Sequence, residues 1–188
     1  MTTKTVMVNL TPKTKMKEED ENQMDTKVVL PKQPKKRSIT FNSSWAFSPD
    51  ELSQPQQVLY VEQLHINNVT DTNACMLITK HINQKINGYK TQDKKKGLYD
   101  LQNIVDEEYV FNEIYKSKHI CFYCNEGVHV LYENAREPKQ WTLDRINNDI
   151  GHNKNNVVIA CLQCNVSRKT MYHERYAFTK QLVLIKRN

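Results

Sequence analysis

The spacing of hydrophobic and polar positions divides the chain into three textures. Residues 1–44 are rich in Lys, Thr, Glu, Gln and Pro and poor in aromatics. Such a stretch cannot bury enough apolar surface to offset the entropy of ordering, so a disordered basic and polar tail is expected there. From residue 45 to 118 a helical segment is expected. "SPDEL" offers Ser48 as an N-cap with Pro49 at the first helical position and acids in the first turn. A longer helix is predicted from about Thr70, capped by Asp71, with Met76, Ile78, Ile82 and Ile86 on one apolar stripe and Gly97 after its last turn. Another is predicted from Asp106 to about Lys116, where acids at the start and a lysine at the end match the helix dipole. The apolar faces of these helices need a partner surface.

After Lys118 the period shortens. "VHVLYE" (128–133) and "QWTLDRI" (140–146) alternate as strands do, and "NVVIAC" (156–161) is a β-branched run. "QCNVSRKTMYHERY" then turns helical, and a polar loop, "NNDIGHNKN", joins the last two strands. The fold class expected is α+β: a strand, loop, strand and helix unit over residues 119–188, supported by the preceding helices.

Composition sharpens this picture. A chain of 188 residues suits one modest domain with tails. Its formal charge of +6 is unevenly placed: residues 1–115 hold fifteen basic and fifteen acidic side chains, and residues 116–188 hold twelve and six. A basic surface confined to the C-terminal part suits a polyanion, because counterion release supplies sequence-independent affinity for phosphate backbones. Simple solubility would call for the same charge. In the tail, "PKQPKKR" (31–37) reads either as a nuclear localisation signal or as a basic arm on nucleic acid. No apolar run reaches the roughly 18 residues that cross a bilayer, and no basic-then-apolar signal opens the chain. A soluble, intracellular protein without membrane contact is therefore expected.

Four of the five cysteines form two C-x-x-C pairs, Cys121 with Cys124 in "CFYC" and Cys161 with Cys164 in "CLQC". In an intracellular protein that spacing points to a tetrahedral ion, and four thiolates leave no open position for substrate, so a structural zinc is predicted. Cys75, inside "NACMLITKHI", reads as a small buried apolar residue. His119 and His129 read as surface or packing residues once four sulfurs are counted.

A second centre is suggested next to the clasp. Asn165 follows the last cysteine, and Asp144 lies near the end of the strand before the loop. If the zinc pins helix to hairpin, the carboxylate and the amide come together. Two oxygen ligands with open positions suit Mg²⁺ or Mn²⁺, which retain waters and accept phosphate oxygens.

The residues "LDRIN…GHNKNNVVIACLQCN…RK", with "CFYC" upstream, resemble the HNH endonucleases of the ββα-metal fold, in particular zinc-clasped members similar to recombination endonuclease VII and to HNH proteins of phages and large DNA viruses. "INGYKTQDKKKGLYD" also looks like an N-terminal segment of viral members. The resemblance implies that Asp144 and Asn165 bind the catalytic ion and that the four cysteines bind zinc. It also implies that Asn156 braces the loop, that Trp141 and Leu143 are hairpin core, and that DNA, duplex or branched, is the partner. A nuclear site or a site of viral replication follows as the expected location, and a homodimer is compatible with it.

This chain departs from the commonest pattern at Arg145, where a histidine usually activates water. Arginine stays protonated and suits instead a bidentate hold on the scissile phosphate. His152, in the loop, is the leading candidate base and could swing toward the metal; His173, Tyr172 and Tyr176 are weaker ones, and a metal-bound hydroxide without a protein base is a further route. Arg168, Lys169 and Arg175 are candidate DNA-backbone contacts. The sequence therefore supports an endonuclease first. A non-catalytic zinc-dependent nucleic-acid-binding module and a zinc-stabilised protein-interaction domain are the alternatives.

Overall fold

A computed structural model describes residues 33–66 and 70–182, and the expectations for residues 1–32 lie outside the described residues. The architecture is α+β. Five α-helices among the described residues, α1 (Gln54–His65), α2 (Thr72–Lys96), α3 (Glu107–Lys116), α4 (Leu162–Arg168) and α5 (His173–Gln181), surround one two-stranded antiparallel sheet, β1 (Trp141–Arg145) and β2 (Val157–Cys161). No described helix is long and apolar enough to cross a membrane.

The helix signals hold where caps are complete. The Asp71 side chain accepts from Ala74 N at 2.9 Å, α2 runs 25 residues, and Gly97 closes it at φ 69°, a left-handed conformation suited to a residue without Cβ. Asp106 caps α3 in the same way, accepting from Tyr109 N at 2.8 Å. At Ser48 the outcome differs. Ser48 and Glu51 form a reciprocal pair (2.7 and 3.3 Å), yet only a turn results and α1 starts at Gln54. Pro55 has no N–H to continue the ladder from that turn, so the helix restarts with Ser53 as N-cap. On α2, Ile78, Ile82 and Ile86 are buried as predicted; Met76 is 61% exposed and lies off the stripe.

Two strands match their sequence pattern and one does not. Trp141 pairs with Cys161 and Asp144 with Val158, and Trp141 and Leu143 are buried on the hairpin. Residues 128–133, expected as a strand, instead form irregular chain with a single bridge from His129 to Gln140. The reason is a side chain: buried Gln57 of α1 accepts from Val130 N and Leu131 N (2.8 and 2.9 Å), taking donors that a ladder would need. The helix after β2 is also interrupted. Lys169 adopts φ 53° and separates α4 from α5.

One buried cluster runs from Trp45 through the helices and the hairpin to Tyr176. Cys75 is buried, its thiol 3.8 Å from Tyr60 O. Within the stretch expected as tail, Lys36 bridges Asn134, and Arg37 donates to Tyr132 O at 3.1 Å with its guanidinium 4.2 Å over the Tyr132 ring. The basic run at 35–37 is thus docked on the domain, because Arg37 finds both an acceptor and an aromatic face there.

Helix α2 lies along the free edge of β1. In this two-stranded sheet the outward backbone groups of β1 have no third strand. Tyr89 Oη accepts from Leu143 N at 2.9 Å, and Lys85 Nζ donates to Trp141 O and to Gln140 Oε1 (3.1 Å for the latter). Residues 85 and 89 lie one helical turn apart, so their spacing follows the pleat they cover.

Candidate active site

The four cysteines come together: their sulfurs all lie within 4.8 Å of one another, with Cys124 Sγ 4.0 Å from Cys161 Sγ. Tetrahedral Zn–S bonds of about 2.3 Å place sulfurs roughly 3.8 Å apart, so the cluster could hold a metal ion such as zinc with little movement. Backbone N–H groups support the sulfurs, Cys161 N on Cys121 Sγ (3.3 Å) and Cys164 N on Cys161 Sγ (3.4 Å). A hydrogen bond from Cys161 pulls the Cys121 thiol down to about 5, while the Cys121 side chain, and burial after it, push the Cys161 thiol up. Four crowded thiols therefore do not ionise together unaided. A bound dication would supply the missing counter-charge.

Two residues carry this cluster's geometry toward Asp144. Tyr123, between the first two cysteines, donates its hydroxyl to Asp144 Oδ2 at 2.6 Å. Asn165, one residue past Cys164, donates Nδ2 to Thr142 Oγ1 and Leu143 O (3.0 and 3.1 Å), and its Oδ1 accepts no hydrogen bond among the described residues. Burial and the Asp144 hydrogen bond raise the Tyr123 phenol, so it remains a donor at any working pH.

Asp144 itself is 5% exposed and paired with Arg168, which is 2% exposed. Arg168 Nε meets Asp144 Oδ2 at 2.6 Å and Nη2 meets Oδ1 at 2.9 Å. The remaining guanidinium donors hold Met171 O, Arg145 O and Asn148 Oδ1. This corrects the expectation that Arg168 contacts DNA: charge alone does not tell which side of α4 faces solvent, and this arginine faces inward. It also changes the Asp144 site. Oδ2 already accepts twice, and only Oδ1 keeps a lone pair for another ligand.

A cavity of about 540 Å³ opens between α2, β1 and α4, and Asp144, Arg145, His152, Asn165 and Lys169 all line it. Its charged lining includes Lys85, Lys96, Arg145 and Lys169 against one carboxylate already neutralised, so the space favours an anion. Asp144 Oδ1 and Asn165 Oδ1 are oxygen donors of the kind that hard divalent ions take. Among the described residues, the four cysteines are the only group of three or more His, Cys, Asp and Glu side chains spaced for a metal. Arg145 Nη1 holds the loop through Asn148 O and Ile150 O (3.0 and 3.1 Å), and its Nε and Nη2 make no hydrogen bond among the described residues.

His152 is held by Asp93 and Tyr89. Its Nδ1 lies 2.9 Å from Asp93 Oδ1, its backbone N donates to Asp93 Oδ2 at 2.7 Å, and its ring stacks on Tyr89 with centroids 4.4 Å apart. Burial lowers its pKa, Asp93 opposes that through hydrogen bond and charge, and Arg145 and Lys96 lower it further. Asn156 braces the loop: Nδ2 donates to Asn147 O and Gly151 O, and Oδ1 accepts from Asn147 N. Of the weaker base candidates, Tyr176 is buried against Tyr123, Tyr172 is exposed, and His173 tilts against Phe122; none lines the cavity. Arg175 is exposed and outside it as well. His119 is a buried packing residue.

Sequence reasoning missed the contribution of α2. Lys85, Tyr89 and Asp93 recur every fourth residue and all reach the hairpin or its loop. The available signal was that stripe of polar residues at helical spacing beside an apolar one. Lys85 Nζ sits 4.5 Å over the Trp141 ring, and burial, then Arg37, brings its pKa down to about 7. No family model matches this chain, and neither does any curated protein or solved structure.

Proposed function

We propose that this protein is a metal-dependent endonuclease of the HNH type that hydrolyses DNA phosphodiester bonds. One observation carries the reading: Asp144, Arg145, His152 and Asn165 line a single cation-rich cavity directly beside the four-cysteine cluster. In this reading zinc at Cys121, Cys124, Cys161 and Cys164 is structural, and Asp144 and Asn165 would hold a Mg²⁺ or Mn²⁺ ion. Such an ion, when bound, neutralises phosphate charge and acidifies water. The unassigned donors of Arg145 fit two phosphate oxygens, where they stabilise charge that grows in the transition state. Lys96 and Lys169 draw the backbone into the cleft without reading bases.

A second reading has its own support. The bidentate grip of Arg168 on Asp144 resembles a structural ion pair, which favours a non-catalytic nucleic-acid-binding module. The two separate in one assay, with supercoiled plasmid, single-stranded DNA and a four-way junction, each with Mg²⁺ or Mn²⁺. The nuclease reading expects nicking by the native protein and at least a hundredfold loss in Asp144→Asn with DNA binding retained. Tight binding by the native protein, with no cleavage of any substrate by either ion, would establish the module instead.

A further inference from the structure

We propose that Asp93 of α2 and His152 form an acid–base dyad, in which Asp93 is a positioning residue and His152 Nε2 is the general base of the cleft. This rests on the hydrolytic reading above and supplies the proton acceptor that Arg145 cannot be.

The geometry holds His152 at three points. Both oxygens of one carboxylate engage this residue, Oδ2 on its backbone N and Oδ1 on its ring Nδ1, and Tyr89 stacks on the ring face. A carboxylate only accepts, so Nδ1 carries the hydrogen and the lone pair of the neutral ring resides on Nε2. Nε2 has no hydrogen-bond partner among the described residues, yet it is not among the buried unpartnered atoms, and the ring lines the cavity. It is the accessible edge.

Asp93 is fully buried, and its side-chain hydrogen bonds among the described residues both come from His152. A buried carboxylate needs donors, and this one takes both from a single loop residue. Gly151 permits the approach. A Cβ there would lie 2.4 Å from Leu98 O and 2.9 Å from Asp93 Oδ2, so a larger residue would push the loop off the carboxylate. Tyr89, one turn before Asp93, holds Leu143 N, adjacent to Asp144. Two successive turns of α2 thus set the base in register with the strand that carries Asp144 and Arg145.

In the chemical step, Nε2 takes a proton from water as the water oxygen bonds to phosphorus. The bond from phosphorus to the leaving sugar oxygen breaks, and that oxygen takes a proton from solvent. The imidazolium formed beside Asp93 is stabilised by the carboxylate and returns its proton to bulk water. The groups facing His152 are Asp93 and Lys96 from α2, Arg145 from β1 and the Tyr89 ring; burial and the two cations keep the resting imidazole neutral, ready to accept.

The test pairs kinetics with a readout that does not depend on cleavage. With Mg²⁺ and plasmid DNA, His152→Ala is expected to lose about a hundredfold or more in kcat at unchanged KM, the usual scale for a positioned base, and to regain rate with added imidazole. Asp93→Asn is expected to lose kcat similarly and to move the acid limb of its pH profile downward, because the carboxylate that favours the imidazolium is gone. By ¹⁵N NMR, His152 of the native protein should carry its proton on Nδ1, and Asp93→Asn should abolish that preference. If Asp93→Asn does not fold, the native tautomer and imidazole rescue of His152→Ala still decide. A native ring protonated on Nε2 would overturn the dyad whether or not DNA is cut. Full kcat in both variants, while Asp144→Asn is inactive, would overturn it and leave the nuclease reading standing.

Discussion

Asp144 shows how much of a side chain's surroundings its place in the sequence leaves open. An acid at the end of β1 invites a metal, but the folded chain surrounds it with Tyr123 and Arg168. Truncating it strands a buried guanidinium. Asp144→Ala is expected to lower unfolding free energy by about 3–5 kcal/mol, the range for breaking a buried pair by removing one partner. Asp144→Asn, which keeps the volume and one acceptor, should lose less. Urea denaturation of both variants checks this, and equal stability of Asp144→Ala and the native chain would refute it. Loss of cleavage in the alanine variant alone would not identify a metal ligand, whereas the asparagine variant separates chemistry from folding.

At the scale of elements, side chains decide where regular structure stops. Val128 to Glu133 alternates as a strand should, but Gln57 occupies the donors of Val130 and Leu131 and gives its own Nε2 to Leu52 O. Gln57→Leu should cost roughly 1–3 kcal/mol for each backbone donor left without an acceptor. Hydrogen exchange at Val130 and Leu131 should accelerate in parallel; unchanged protection at both amides would contradict this assignment. Helix α2 is the complementary case. Its caps at Asp71 and Gly97 and its isoleucine stripe were legible, whereas the reach of Lys85, Tyr89 and Asp93 to β1 and the loop was not, because local periodicity identifies a face without identifying what covers it.

Across the whole molecule, the cysteine cluster is the joint between support and site. It ties the Cys121 turn to the β2–α4 junction, and through Tyr123 and Asn165 it touches both halves of the candidate centre. Metal analysis of the purified chain should find about one zinc per molecule, in keeping with a closed four-sulfur site. Chelation at neutral pH should lower Tm by roughly 6–20 °C, since a loss of about 3–5 kcal/mol moves a domain of this size by roughly 2–4 °C per kcal/mol. A chelated protein with the native Tm would remove the structural role.

The sequence by itself determined the cysteine pairs, the helix from Asp71 and the two paired strands, because caps, period and ligand spacing are written within a few residues of each other, and the family resemblance implied the bracing asparagine. Asn156 sits where its loop needs it, Asp71 caps where it was expected, and the helix expected from Asp106 begins at Glu107 with Asp106 as its cap. Only the tertiary structure decided that Arg168 turns inward to Asp144, that the chain at 128–133 is held by Gln57, and that His152 is fixed by a carboxylate 59 residues away. Those are partnerships between distant segments. Each depends on which faces meet when the core closes, and a charge or a hydrogen-bonding group carries no local mark of the partner it will find.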